Sequence, residues 1–465
     1  MKTRSRAERA IVTGNSIRHS PRESVATPAR FIRRAFPGAM KYPVSACENR
    51  RYGLLSYRRR PVSRQARLAW IPAFAGMTRR PRRYCANIYN LMLALFLLLS
   101  PALSLAQQRD DFLRPFVGYY DSQSLSTAVG NATVASGQVI PGRSSNPANL
   151  GLNRFNHLQI NFQHNSFTGP GIGNSNTRLG GAYVVVPVQV YRGSLVFGGG
   201  VQRMVDFSNG FQSANKQASE EGGIYATELG ASMEVAEDLF IGGAFNYLKG
   251  SDELFVERLD IDSLLNPKYS GYYLSIGFLN RTTSHLQIGA SVQSPTVVHV
   301  QDNLTTWPVA SPDSSLSKTW NYRLKRPLVF HLGFSFLYPA YSAFYEMEWS
   351  DWQDLEFASG EYYEGDVAVI NREIKRELRS TLTHHLGAAG HLPWLPLHLY
   401  AGYQFMPIPF TGEYSGNRRQ SLSLGGSYLL NQQFSVHSSY SRYFWKQSGG
   451  AENYDMLVFG VSLHY

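Results

Sequence analysis

The chain has 465 residues and a formal charge of +12, with 45 Lys and Arg against 33 Asp and Glu. That charge sits at one end. Residues 1–106 hold 21 of the cations and only three acids (Glu8, Glu23, Glu48), leaving the remainder with 24 bases and 30 acids, a net −6. A nucleic-acid-binding role argued from bulk basicity is therefore excluded. Both cysteines, Cys47 and Cys85, also lie in this leader, so the rest of the chain has no disulfide, Cys-ligated zinc or Cys nucleophile.

Residues 1–76 are rich in Arg and Pro, show neither a helical nor a strand period, and cannot bury a core. Trp70 to Thr78 resembles translated intergenic sequence. Met77, followed by Thr-Arg-Arg-Pro-Arg-Arg, would open a signal of ordinary length. Residues 1–76 are thus read as a non-native extension from a misassigned start, the other reading of so basic a leader being an organelle transit peptide. Residues 77–106 are read as a signal peptide: a basic n-region, an apolar run from Ile88 to Ala106, and small Ser104 and Ala106 before a cleavage expected at Gln107. Pro101 and Ser104 in that run argue against an uncleaved anchor, and Cys85 precedes the run, which argues against a lipoprotein.

After this leader no window offers about 18 uninterrupted apolar residues, so no membrane-spanning helix is expected. Period-2 alternation recurs instead. Leu397, Leu399, Ala401, Tyr403 and Phe405 interleave with His398, Tyr400, Gly402 and Gln404, and similar patterns occupy Leu158–Gln163, Leu286–Gln293 and Ser421–Tyr428. A soluble β-sandwich would also alternate. Three features favour a transmembrane barrel. The polar faces carry Gly, Ser, Gln and His rather than Lys and Glu. Aromatics gather at strand ends, as in Tyr269, Tyr272 and Tyr273 or Tyr440, Tyr443, Phe444 and Trp445. Short links such as Ala236-Glu237-Asp238 alternate with long loops at Ser208–Gly222, Gln301–Ser315 and Phe357–Glu373.

The expectation is an all-β chain: an antiparallel transmembrane barrel of about 14 strands over residues 153–465, from 154–166 to 453–465, preceded by a small N-terminal hatch at 107–152. An even count puts both ends of the barrel on the periplasmic side. The last strand sets Leu457, Phe459, Val461, Leu463 and Tyr465 outward against Gly460, Ser462 and His464, an ending that resembles the signal read by the barrel-assembly machinery.

Asn146-Pro147-Ala148, just before the first strand, resembles the Asn-Pro-Ala of the outer-membrane hydrophobic-compound transporters of the long-chain fatty acid (FadL/TodX) family. Later stretches in the same order support the likeness: Arg326 to Gly333, Tyr345 to Trp352, His385 to Ala388 and Leu399 to Pro409. The resemblance implies a fourteen-stranded barrel with residues 107–151 folded inside as a hatch, and passive uptake of long-chain fatty acids or aromatic hydrocarbons past it. It also implies residence in the bacterial outer membrane, beside lipid and lipopolysaccharide. The alternative function is a secretion-system or structural coupling barrel; no assembled nucleophile and base points to an enzyme.

Individual residues follow. Asn146, Pro147 and Ala148 form either a gate element or a rigid turn into the first strand. Glu346 and Glu348 share the inward face of the ninth strand, because carboxylates are costly against lipid, and could hold hatch Arg109, Arg114 or Arg143, shape the ligand path, or simply supply lumen polarity. His331, His385 and His398 are expected inward on separate strands, which fits no metal motif or triad. Arg323, Lys325 and Arg326 could meet an anionic head group. Gly198-Gly199-Gly200 is read as strand curvature or close packing. No cofactor is expected.

Overall fold

The computed structural model describes residues 114–117, 122–137, 145–169, 172–207, 209–213, 216–258, 261–308, 315–360, 367–411, 418–447 and 450–465. The leader, its proposed cleavage site and hatch residues Arg109 and Arg143 lie outside them.

Among the described residues, nineteen strand segments form one antiparallel sheet that closes on itself, the last pairing with the first. Five staves of the wall are each made of two segments running end to end against the same neighbours, so the closed wall has fourteen staves. In chain order they are β1 (His157–Gly169), β2 (Ile172–Val188), β3 (Leu195–Asp206 and Asn209–Ser213), β4 (Lys216–Ala236) and β5 (Leu239–Arg258). Then come β6 (Ile261–Leu265 and Lys268–Arg281), β7 (Leu286–Gln293 and Thr296–Pro308), β8 (Leu316–Arg326 and Val329–Leu337) and β9 (Tyr341–Asp351 and Glu356–Gly360). The last five are β10 (Ser380–Leu392), β11 (Leu397–Pro407), β12 (Arg418–Leu429), β13 (Phe434–Gln447) and β14 (Gly450–His464).

Three of the five breaks carry a proline: Pro267 in β6, Pro295 in β7 and Pro327 in β8. Proline has no N–H to give the ladder, so pairing stops there and resumes beyond it. In β9 the break is a 3-10 turn, Trp352–Asp354. Several staves run past the expected loop boundaries. The stretches read as loops at 208–222, 301–315 and 357–373 contribute parts of β3, β4, β7 and β9, and of a helix, Val367–Glu377, which runs past the end of the last of them.

The pleat places successive side chains on opposite faces. Outward residues form an apolar belt that includes Leu158, Ile160 and Phe162 on β1, Leu274, Ile276 and Phe278 on β6, and Leu457, Phe459 and Val461 on β14. No described helix is long and apolar enough to cross a membrane, and the last stave pairs with the first, so the sheet closes as a bilayer demands of a β structure. The expected girdle is only half outward. Tyr272 and Tyr440 face out, whereas Tyr269, Tyr273, Tyr443 and Trp445 are buried inside.

The tight turns, between β4 and β5, β8 and β9, or β12 and β13, share the end of the barrel where β1 begins and β14 stops. The other end carries the longer connections, including α3 (Val367–Glu377). Before the wall come two short helices, α1 (Arg114–Val117) and α2 (Ser124–Ala128), and a 3-10 turn, Pro147–Leu152.

Candidate functional site

The interior is divided along its length. In the tight-turn half the inward face is polar, with Gln159, Asn161, Asn246, Ser291, Glu346, His385 and Gln404 all buried. This half is filled by the hatch. Residues 122–137 and 145–152 pack against the wall from inside, with Leu125, Ala128, Val129, Val134, Ala148 and Leu150 almost fully buried.

The hatch is a short irregular chain, so its backbone polar groups need partners that regular structure would otherwise supply. The wall provides many of them. Ser194 Oγ donates to Gly151 O and Ser232 Oγ to Ala148 O, both at 3.0 Å, while in the other direction hatch Ser122 Oγ donates to Gly180 O of β2 at 2.7 Å. Ser291 Oγ donates to Ser145 O at 2.7 Å and Ser423 Oγ to Ala128 O at 3.3 Å, while His385 Nδ1 lies 3.0 Å from Gly130 O.

The strongest anchor is Glu346. Its Oε2 accepts from Thr133 N at 2.7 Å, Val134 N at 2.8 Å and Ser145 Oγ at 3.2 Å, and its Oε1 lies 2.9 Å from His331 Nδ1. A carboxylate taking two backbone N–H groups is the charge-assisted kind of bond. Among the described residues, hatch backbone N–H groups and Ser145 occupy Oε2; Arg109, Arg143 and the side chain of Arg114 lie outside them. Glu348, on the same inward face, is more open and lies 3.7 Å from His385 Nε2.

Asn146 ties the two halves of the hatch together. Its Nδ2 donates to Val134 O and to Phe278 O of β6, both at 2.8 Å, and its Oδ1 accepts from Ala148 N at 2.9 Å. The residue is extended (φ −125°, ψ 110°) and caps the 3-10 turn, with Pro147 in the first helical position, where a missing N–H costs nothing. Asn149 Nδ2 adds a bond to Thr133 O at 2.8 Å.

Inward glycines let the hatch lie this close. A Cβ on Gly277 would overlap Asn146 Oδ1, and one on Gly198 would meet Leu150 at 2.9 Å, which accounts for the Gly198 triplet by packing. The hatch itself reverses at Gly130 and Asn131, both left-handed (φ 64° and 58°), so that its backbone can lie against Gly402 and Tyr403.

In the long-connection half the inward face carries apolar clusters, with Arg203, Asp252, Asp302 and Arg326 buried beside them. Val205, Ile224, Leu248, Val298, Leu324 and Phe357 are buried there, and Phe116 of α1 joins them. α3 closes this region from above: Ile374 is 2% exposed, and the Asn371 side chain bonds both N and O of Phe357 at 2.8 and 3.0 Å. A second apolar group, Tyr443, Trp445, Met456 and Val458 with Phe167, lines the β13–β14–β1 wall.

One line of the wall lacks a backbone ladder. Pairing of β2 with β3 runs from Val188/Leu195 only to Gly181/Gln202; beyond that, β2 pairs with β1 alone and β3 with β4 alone. Side chains bridge the seam. Asp206 accepts from Asn165 Nδ2 at 2.6 Å and Asn176 Nδ2 at 3.3 Å, and Arg178 pairs with Glu221 at 2.7 Å.

The other sequence candidates separate. His398 has inward parity but is exposed near the tight-turn rim, its ring tilted 46° against that of His391 with centroids 4.8 Å apart. Arg326 is inward and buried over the Trp352 ring, whereas Arg323 and Lys325 point outward, Arg323 to His299 and Lys325 to Glu356 at 2.9 Å. The three cations therefore do not converge. Among the described residues no group of three or more His, Cys, Asp or Glu is placed to share a metal ion. Sequence reasoning missed the inward serines and glycines that hold the hatch. Their recurrence on polar strand faces was the available signal, but a strand pattern alone does not say what lies against it.

No protein-family model and no curated protein sequence matches the chain. Solved structures do. A FadL homologue of Pseudomonas aeruginosa aligns over 75% of this chain and 99% of its own at 14% identity, with a TM-score of 0.55. A structure described as the CymD monoaromatic hydrocarbon channel aligns over 75% and 98% at 14% identity, TM-score 0.54, and the toluene transporter TodX of Pseudomonas putida over 75% and 99% at 13%, TM-score 0.52. At these identities the likeness shows the fold alone: this chain is a closed β-barrel with the architecture of these three structures.

Proposed function

We propose that the protein is a bacterial outer-membrane channel that admits hydrophobic small molecules, long-chain fatty acids or aromatic hydrocarbons, past an internal hatch. The observation that carries this reading is the division of the lumen. A water-filled pore has no use for a half lined by Leu248, Val298, Leu324 and Phe357, whereas a solute that leaves water gains about 25 cal/mol per Å² of apolar surface by entering it. The polar half below, blocked by the hatch, then makes release depend on hatch movement. The fold likeness to a toluene transporter and a monoaromatic hydrocarbon channel supports the same solute class.

Asn146, Pro147 and Ala148 act as the gate because they join both hatch segments to β6. The seam between β2 and β3 supports a sideways exit, since opening it breaks side-chain bridges rather than a ladder of backbone bonds. The inward His331, Glu346 and His385 shape and hold the hatch instead of contacting solute.

The test is uptake of radiolabelled oleate and toluene by cells expressing the protein, paired with mass spectrometry of ligand retained by the purified barrel. Saturable uptake, lost when Asn146–Leu150 is deleted from a barrel that still folds, is the expected result. A folded outer-membrane barrel with no bound lipid or hydrocarbon and no uptake of either would instead favour a secretion-system or structural coupling role.

A further inference from the structure

The outer surface of the wall carries a polar cleft that the transport path does not use. Five staves in register build it. Lys249 of β5 stands opposite Ser270 of β6, Ser270 opposite His299 of β7, His299 opposite Arg323 of β8, and Arg323 opposite Ser359 of β9. Lys268 joins from the adjacent row, where it faces Ser251 and Gln301. These side chains surround a cavity of about 970 Å³. All of them share the outward parity of Leu274 and Ile276, so the cleft opens away from the lumen.

Its height on the barrel is informative. Tyr247 and Tyr272, paired with each other and exposed, mark the edge of the apolar belt on the long-connection side. Two residues further along those staves come Lys249 and Ser270. Aromatics of this kind sit at head-group level, so the cations lie among or just beyond the head groups of the outer leaflet. The row from Lys249 to Arg323 crosses three strand spacings, about 14 Å, broad enough for a sugar-phosphate head group.

The cations are available. Among the described residues, Lys249, Lys268 and Arg323 have no carboxylate partner; Arg323 donates from Nε to His299 Nδ1 at 3.2 Å, which leaves its terminal N–H groups directed elsewhere. The acids nearby do not fill the cleft. Glu356 is paired with Lys325, and exposed Glu253 lies two residues beyond Ser251 on β5. A guanidinium held in place by His299, with two lysines across the cleft, suits phosphate, which it can grip with two parallel N–H bonds.

We infer that this outward cleft binds the phosphorylated head group of lipopolysaccharide in the outer leaflet, and so fixes lipid against staves β5–β9. The inference rests on the outer-membrane reading but not on transport. Each basic residue at a charged lipid surface contributes about fivefold in affinity, so removing three costs on the order of a hundredfold.

The experiment compares the full barrel with the triple variant Lys249→Ala/Lys268→Ala/Arg323→Ala, both taken from outer-membrane fractions and both shown to be folded by heat-modifiable gel mobility. Thermal unfolding in detergent is followed with bisphosphorylated lipid A, its dephosphorylated form, phosphatidylglycerol or inorganic phosphate. The expected result is stabilisation of the parent by bisphosphorylated lipid A alone, with the triple variant needing on the order of a hundredfold more lipid. Three results would overturn the inference: equal stabilisation of both proteins, equal stabilisation of the parent by phosphatidylglycerol, or the same shift with inorganic phosphate. A protein absent from the outer-membrane fraction would instead overturn the location on which the inference rests.

Discussion

Replacing Glu346 with alanine removes the acceptor shared by two buried backbone N–H groups of the hatch, Thr133 and Val134, and by Ser145 Oγ. Each orphaned buried donor costs about 1–3 kcal/mol. Ser145 is only partly buried, so water has some access to this corner. We therefore expect about 2–4 kcal/mol of lost hatch docking, which multiplies the open population by on the order of 30 to 1000. The barrel should survive, because Glu346 contributes its backbone to the wall ladder whatever its side chain. The assay is hydrogen–deuterium exchange on the folded barrel, read on peptides covering residues 131–137. Glu348→Ala is the internal control. Its carboxylate sits 3.7 Å from His385 and, among the described residues, accepts from no hatch N–H, so exchange there should stay near that of the parent. If Glu346→Ala exchanges at the parental rate in a folded barrel, the carboxylate does not hold the hatch, and the reasoning fails.

Asn146→Ala should act at the same place by loss of three bonds, at about 1 kcal/mol net each, and should raise exchange in residues 133–137 and 145–152 together, since Asn146 bridges both. Gly277→Ala should displace Asn146 and mimic that variant in uptake and exchange. Gly243→Ala, whose Cβ would meet nothing closer than 3.8 Å, should do neither. Leu324→Asp places a carboxylate among the apolar side chains of the long-connection half and should abolish saturable uptake of hydrophobic solutes while gel mobility still reports a closed barrel; unaltered uptake would show that solute bypasses that region.

How much of this was readable in advance varies with the range of the interaction. The parity of β9 was legible, because placing Glu346 and Glu348 outward would set two charges in the belt, and period 2 leaves one alternative. The Asn146-Pro147 start of the 3-10 turn was legible for a similar reason: cap chemistry is local, one side chain and the next two residues. The aromatic runs were misread in part. Tyr269, Tyr272 and Tyr273 stand together in sequence, yet Tyr272 belongs to the belt and Tyr269 and Tyr273 to the lumen, as the period-2 alternation running on to Leu274 and Ile276 requires.

The sequence by itself determined the wall: about ten-residue alternation, an even stave count, turns at one end and long connections at the other. Those follow from the geometry of a strand and the thickness of a bilayer, which every stave meets independently. Tertiary structure decided what the wall encloses. That Glu346 accepts from Thr133 and Val134, that Gly277 makes room for Asn146, and that Lys249, His299 and Arg323 align outside depend on curling the sheet shut and tucking the hatch within. These contacts join residues more than a hundred positions apart, or on staves whose register is fixed only by closure, so no local pattern could announce them.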